Sequence, residues 1–159
     1  TEVKARSLAP YLANYSHFYV LGYGLTHGVA LEGALKIKEV CYIVADGMYS
    51  SEFKHGPLSI VSDGYPIVFT VAPNDSEELV NHLSEVECRG ARIILTGEDH
   101  PLLRRYVAED NYLVVPNSNH YLSPILQVIP LQLLAYYLAT YKNIDPDHPR
   151  NISKTLTVR

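Results

Sequence analysis

Three charged side chains on one predicted helix have the types and the spacing for acid–base chemistry. Glu32, Lys36 and Glu39 stand at positions i, i+4 and i+7 of the run LEGALKIKEV. At about 100° per residue, these side chains share one stripe roughly 60° wide. Two carboxylates around an ammonium can have pKa values shifted in opposite directions, so one carboxylate can act as a base. An ion pair that only stabilises a buried helix is the alternative.

The remaining surface of the same helix is almost entirely apolar. Leu31 and Leu35 are among the residues that cover most of its circumference. Such a composition is typical of a helix that packs on several sides rather than one that faces water. We therefore expect the charged stripe to line a cavity.

A glycine turn directly before this helix has the form of an anion-binding site. The backbone N–H groups of Gly22-Tyr23-Gly24 lie next to the positive end of the helix, which suits a sugar phosphate. The run GYGLTHG differs in spacing from the dinucleotide fingerprint G-x-G-x-x-G, which disfavours nicotinamide and flavin binding. We predict substrate contacts at Gly22 and Gly24 and no cofactor, with an ordinary turn as the alternative.

Histidines are the other candidates for acid–base or metal chemistry. His55 follows Lys54 in the polar segment 46–57, which is the longest candidate for an active-site loop. An ordinary surface histidine is the alternative. The seven histidines are scattered, and none stands at ligand spacing from a cysteine, a carboxylate or a second histidine, so we predict no metal site.

Hydrophobic periodicity predicts the framework that must position these residues. The predicted strands are 17–21, 66–73, 91–96 and 112–115, and the predicted helices are 3–14, 26–43, 76–89, 101–108 and 124–141. Thr26 is expected to cap the second helix. Strands that alternate with helices indicate a parallel sheet, with ligand loops at the carboxyl ends of the strands, where residues 22–28 and 73–75 fall.

Charge and composition limit the classes of partner. The net charge is −4 and no basic cluster occurs, which argues against a nucleic-acid partner. No apolar run approaches the roughly 18 residues of a membrane span, and no leader opens the sequence, so we place the chain in the cytoplasm. Cys41 and Cys88 are expected to be buried free thiols. Because the chain begins at Thr1, we expect a fragment of a longer protein or a processed product.

Four strings of the sequence together carry a resemblance to a known family. LEGALKIKE, EFKHGPL, PLQLLAY and PRNISK occur in this order with long intervals between them. Essentially end to end, the chain resembles the carboxy-terminal sugar-isomerase (SIS) domain of the glutamine–fructose-6-phosphate aminotransferases, also called glucosamine-6-phosphate synthases. That resemblance implies formation of glucosamine-6-phosphate from fructose-6-phosphate and glutamine-derived ammonia, the first step of UDP-N-acetylglucosamine synthesis.

The resemblance also implies roles for the charged residues. Glu39 would be the base that moves a proton between C1 and C2 of the fructosimine phosphate, and Lys36 and Glu32 would support that site. His55 would assist opening of the sugar ring and would reach the site of the neighbouring subunit.

The carboxy-terminal tail supplies the remaining residues that the resemblance implies. Lys154 would form a Schiff base with the ketose carbonyl, and Ser153 stands beside it where the family commonly has alanine. A tail amine that loses water on closure has a lowered pKa, which favours its neutral, nucleophilic form. We count Ser153, Glu32, Gly22 and Gly24 as substrate-binding.

These observations together predict a three-layer αβα sandwich around a five-stranded, mostly parallel sheet of flavodoxin-like order. Residues 1–141 would form the SIS domain, and 142–159 would form a tail that carries the active-site lysine. The implied partners are a sugar phosphate, upstream SIS and glutaminase domains of the same protein, and a second subunit. Since most phosphate ligands would lie upstream, the chain alone would be nearly inactive.

Two other functions remain open. One is a non-catalytic sugar-phosphate sensor, because SIS domains also occur in transcriptional regulators. The other is a ketosamine-phosphate deglycase or amino-sugar-phosphate deaminase, which would retain the same glutamate and histidine.

Overall fold

A computed structural model of the chain describes residues 1–151, and residues 152–159 lie outside the described part. The five strands are β1 His17–Gly22, β2 Val44–Tyr49, β3 Pro66–Val71, β4 Arg92–Glu98 and β5 Tyr112–Val115. The four α-helices are α1 Glu2–Leu12, α2 His27–Cys41, α3 Ser76–Glu87 and α4 Ser123–Tyr141.

The strands form a single sheet in the order β2-β1-β3-β4-β5, and all neighbouring pairs are parallel. This order confirms the flavodoxin-like prediction, although the sheet is parallel throughout rather than only mostly parallel. All six residues of β3 are buried, as expected for a central strand with helices on both faces. The predicted strand at 66–73 is thereby confirmed, with its end at Val71.

Right-handed crossovers place α2 and α3 on opposite faces of the sheet, because β2 and β4 lie on opposite sides of the β1–β3 pair. Helices α1 and α2 both pack against α4, and the three helices together form one layer. The second layer contains α3 and the 3₁₀-helices Ser50–His55 and Pro57–Ile60, with α3 packed against β4. The main core lies on both faces of the sheet and includes Leu8, Phe18, Ile37, Phe69, Leu83, Ile94 and Leu131.

The prediction of one loop at 46–57 is wrong in its first part, because residues 46–49 belong to β2. This edge strand pairs only with β1 within residues 1–151, so it tolerates polar and glycine residues that disguise it in the sequence. Gly47 is needed there because a Cβ atom would lie 2.7 Å from the Cα atom of Leu31 on α2. The remainder of the segment forms the two 3₁₀-helices.

Three smaller expectations also differ from the structure. The helix predicted at 101–108 is only a 3₁₀-turn, Leu103–Arg105. Thr26 precedes α2, but its buried hydroxyl donates to the Thr70 and Tyr23 carbonyl oxygens rather than capping the helix. Both cysteines are free, and burial raises the pKa of Cys41 to about 12. Cys88, by contrast, is exposed, because it lies at the end of α3 beyond the apolar stripe of that helix.

Candidate active site

The charged stripe of α2 forms as the spacing predicts. The Nζ atom of Lys36 lies 2.6 Å from Oε2 of Glu39 and 3.6 Å from Oε1 of Glu32. Their side chains are 33 %, 28 % and 41 % exposed, respectively. The hydrogen bond that Lys36 donates to Glu39 is the main cause that raises the pKa of Lys36, against an opposing effect of burial. Lys36 therefore remains an ammonium at neutral pH and acts as a fixed positive charge rather than as a nucleophile.

The expectation that the charges line a cavity is met only in part, because Glu39 and Lys36 line two different pockets and Glu32 lines neither of them. The larger pocket, of about 410 Å³, is lined by Lys38, Glu39, Tyr42, Ile43, Val44, Arg150 and Asn151. The smaller one, of about 130 Å³, is lined by Lys36, Val40, Gln132, Ala135, Tyr136 and Pro146. Glu39 thus faces the larger space, and Lys36 faces the smaller one.

The expectation that α2 packs on several sides is wrong for its outer face. Leu31 and Leu35 are 47 % and 44 % exposed, because no other part of residues 1–151 covers them. The buried side of the helix instead comprises Val29, Ala30, Gly33, Ala34, Ile37 and Cys41.

The carboxy-terminal residues 142–151, here called the strap, lie against the end of α2. Lys142 Nζ donates to the Cys41 carbonyl oxygen at 2.7 Å, and the Arg150 N–H donates to the Tyr42 hydroxyl oxygen at 2.8 Å. The Arg150 guanidinium also lies 4.1 Å from the centre of the Tyr42 ring. Since Pro146 lines one pocket and Arg150 the other, the strap borders both sides of the Lys36–Glu39 pair.

The predicted tail residues Ser153 and Lys154 lie outside the described residues. Asn151, at the end of the described chain, lines the pocket of Glu39.

The glycine turn is held closed by contacts within the chain. A Cβ atom on Gly22 would lie 2.4 Å from the Thr26 carbonyl oxygen, so only glycine fits this position. The N–H of Gly24, whose φ is +52°, donates to the Tyr49 hydroxyl at 3.0 Å. Glu39 stands twelve residues beyond the start of α2, which is about 18 Å along the helix axis. The structure therefore keeps Gly22 and Gly24 apart from Glu39, and their substrate contacts stay a prediction.

His55 is exposed and lies at the end of the first 3₁₀-helix of the second layer. That segment is fixed by a contact of 3.0 Å between Ser50 Oγ and His82 Nδ1, and by packing of Phe53 on the Tyr19 ring. Because this layer covers the sheet face opposite α2, the chain does not bring His55 to its own Glu39.

Sequence reasoning missed the pair Tyr42 and Arg150, and it placed residues 73–75 in a ligand loop without singling out Asp75 or His120. Tyr42 and Arg150 line the Glu39 pocket, but nothing in their spacing of 108 positions indicates that they touch. Asp75 and His120 lie near the carboxyl ends of the strands of the sheet. Oδ2 of Asp75 and Nδ1 of His120 are buried there without a hydrogen-bond partner in the described chain. Burial is the main cause that raises the pKa of Asp75. The position of Asp75 after a buried strand was the available signal.

Two kinds of feature are not found in the described part of the chain. No group of three or more His, Cys, Asp or Glu side chains has the arrangement of a metal site within residues 1–151. The helices in this range are also too short or too polar to cross a membrane.

Comparison with known proteins identifies relatives over nearly the whole chain. The family model described as "SIS domain" matches residues 11–142. A glutamine–fructose-6-phosphate aminotransferase [isomerizing] from Pyrococcus horikoshii is 41 % identical over 157 residues, which are 98 % of this chain and 26 % of that protein. The chain thus spans about a quarter of the length of the curated relatives that it matches.

Solved structures of related proteins have a similar fold. The carboxy-terminal domain of a glucosamine-fructose-6-phosphate aminotransferase from Francisella tularensis superposes with a TM-score of 0.80 and 34 % identity, and the match covers 91 % of this chain and 41 % of that chain. A glucosamine-6-phosphate deaminase from Thermotoga maritima gives a TM-score of 0.72 at 27 % identity, over 97 % of this chain and 45 % of that chain.

Proposed function

The chain belongs to the SIS domain family, and on that basis we propose that it is the second isomerase domain of a glutamine–fructose-6-phosphate aminotransferase. The full-length protein would convert fructose-6-phosphate and glutamine into glucosamine-6-phosphate and glutamate. One observation carries the proposal: the Glu39 carboxylate, paired with Lys36 at 2.6 Å, lines a pocket together with the strap residues Arg150 and Asn151. Asn151 precedes Lys154 by three positions in the sequence, which supports a role for the tail lysine at this pocket.

The proposed isomerisation needs a base but neither an oxidant nor a metal. Ammonia adds to C2 of the open-chain ketose, where the Schiff base with Lys154 has already released the carbonyl oxygen as water, and the Lys154 amine leaves, which gives the fructosimine phosphate. Glu39 then removes a proton from C1 while the imine nitrogen gains one, which gives an enolamine. Glu39 returns its proton to C2 while the O1 hydroxyl loses a proton, so that the C1 aldehyde of the amino sugar is formed. The Lys36 ammonium stabilises the Glu39 carboxylate and the negative charge that develops on the substrate. Glu32 is farther from Lys36 and more exposed, which fits a supporting role.

The tail lysine would hold the substrate in the open form. The Lys154 amine adds to the ketose carbonyl and water leaves, which forms a Schiff base. Support comes from the strap, because Asn151 borders the Glu39 pocket three residues before Lys154. We propose on this basis that 142–159 is a functional tail and 1–141 the SIS domain, with Ser153 beside the bound sugar.

A second subunit would complete the site. His55 lies on the face opposite α2, so it can assist ring opening only at a Glu39 site of another subunit. Helix α4 supports burial against another domain or subunit, because it has no charged residue and exposes Ile125, Ile129, Tyr136 and Tyr141. The homodimer and the cytoplasmic location both stay predictions.

The test is a product assay on the full-length protein with fructose-6-phosphate and glutamine. We expect glucosamine-6-phosphate and glutamate in equal amounts. A sensor would form neither, and a deaminase, the alternative favoured by the Thermotoga maritima structure, would instead release ammonia from glucosamine-6-phosphate. Either of those results would overturn the proposed function.

A further inference from the structure

We propose that Tyr42 is a positioning residue that anchors the strap beside Glu39 and so fixes the wall of the Glu39 pocket. The inference rests on the proposed function, because it assigns Tyr42 a part in that same reaction. Tyr42 itself would not touch the reacting atoms. It would act through Arg150 and the backbone that follows.

Tyr42 holds Arg150 by two different contacts. Its hydroxyl oxygen accepts the Arg150 backbone N–H at 2.8 Å, and its ring lies 4.1 Å from the Arg150 guanidinium. The first contact fixes the path of the backbone and the second fixes the side chain. Together they define both the position and the direction of the strap where it reaches the Glu39 pocket.

The backbone of Tyr42 is unusual in a way that its contacts explain. Tyr42 ends α2 in the left-handed conformation, with φ 56° and ψ 35°. Glycine or asparagine is common at such helix ends, and a bulky side chain there is unfavourable. Glycine would satisfy the backbone, but it would provide neither a hydroxyl nor a ring for Arg150. The side chain therefore has a use that the helix end alone does not require.

Both anchors of the strap lie at the same helix end. Lys142 binds the carbonyl oxygen of Cys41, and Arg150 binds the side chain of the next residue, Tyr42. The strap therefore contacts the carboxyl end of α2 both near its start and near its end, at the neighbouring residues Cys41 and Tyr42. Glu39 stands three residues before Tyr42 on the same helix, so the base and the anchor form one rigid unit. Motion elsewhere in the domain would not change the distance between them.

The experiment uses the full-length protein and two substitutions of graded severity. Tyr42→Phe removes only the hydroxyl, whereas Tyr42→Gly removes the whole side chain and relieves the left-handed backbone. Tyr121→Phe is the control, because Tyr121 is 81 % exposed and its hydroxyl has no hydrogen bond among the described residues. The readouts are kcat, KM for fructose-6-phosphate, the unfolding midpoint in urea, and the yield of Lys154 trapped on the sugar by borohydride.

We expect kcat to fall about 5-fold in Tyr42→Phe and about 100-fold in Tyr42→Gly, because one hydrogen bond and then the whole anchor are lost. The trapping yield should fall in parallel at saturating substrate, while the unfolding midpoint of Tyr42→Phe stays unchanged. Unchanged kcat and trapping in Tyr42→Phe and in folded Tyr42→Gly would overturn the anchor, and the proposed function would stand. Wild-type protein that neither turns over nor traps the sugar would overturn the proposed function itself.

Discussion

The two ends of helix α2 differ in how their polar groups are used. At the amino end, Thr26 and Thr70 are fully buried and bond to backbone carbonyl oxygens, and the Gly24 N–H is taken by the Tyr49 hydroxyl. At the carboxyl end, Lys36 and Glu39 are about one third exposed and border two pockets. Both ends are rich in polar atoms, but only the second leaves them accessible to a ligand.

With Glu39 as the proposed base, the chemistry would lie away from the carboxyl edge of this parallel sheet. The general rule places ligands at that edge, near the amino end of α2. In this chain, the Thr26 and Thr70 hydroxyls and the Gly24 N–H of that region are bonded within the domain, and the open carboxylate lies near the opposite edge, beside Val44 at the start of β2. Changes at the amino end should therefore alter stability, and changes at the carboxyl end should alter activity.

The largest expected effect is on activity, from Glu39→Gln in the full-length protein. Glutamine keeps the size of the side chain but cannot accept a proton, so isomerisation should fall by about 10² to 10⁴-fold. The free energy of unfolding should change by less than about 0.5 kcal/mol. Product formation and urea unfolding measure the two quantities. Glu87→Gln, on the exposed end of α3, is the control, and equal activity in both variants would refute the role of Glu39 as base.

Gly22→Ala should give the largest loss of stability. The new Cβ atom would lie 2.4 Å from the Thr26 carbonyl oxygen, and backbone cannot move as a flexible side chain does. We expect the free energy of unfolding to fall by about 2–3 kcal/mol in urea titration. Gly28→Ala provides the contrast, because nothing lies within 4 Å of its added Cβ atom and alanine favours a helix. Equal losses in both variants would show that the amino end is not tightly packed.

Lys142→Met should have a smaller effect at the carboxyl end of α2. The substitution removes the hydrogen bond of 2.7 Å to the Cys41 carbonyl oxygen and a favourable charge at the helix end. The free energy of unfolding should fall by about 1 kcal/mol in urea titration. Lys54→Met, which removes an exposed charge from the second layer, should change it by less than half as much. The reverse ranking would mean that the strap adds nothing to stability.

The smallest effect should be the pH dependence that His82 on α3 adds to the free energy of unfolding. Burial is the main cause that lowers the pKa of His82 below 6.5, so the folded protein keeps this ring neutral while the unfolded chain takes up a proton. The free energy of unfolding should therefore decrease as the pH falls from about 6.5 toward the lowered pKa. His82→Gln should show a flatter profile in urea titrations at several pH values. Identical slopes in both proteins would contradict this assignment.

Local pattern was sufficient for most of the fold. The continuous apolar run of β3 and the alternation of strands with helices predict a buried parallel sheet, and the structure confirms it. The spacing of Glu32, Lys36 and Glu39 likewise places them together, because helical geometry fixes side chains that are three or four residues apart. Where pattern was weak, as in the polar edge strand β2 and the 3₁₀-turn Leu103–Arg105, the predictions were wrong.

The sequence by itself determined which residues share a strand or a face of a helix, since those relations depend on neighbours in the chain. Only the tertiary structure decided which faces stay open. The contacts of Cys41 with Lys142 and of Tyr42 with Arg150 join residues about one hundred positions apart, and they place the strap beside Glu39. The periodicity of the sequence does not predict such contacts, because it reflects only residues that are near each other in the chain. These contacts form only when the folded sheet has brought distant parts of the chain together.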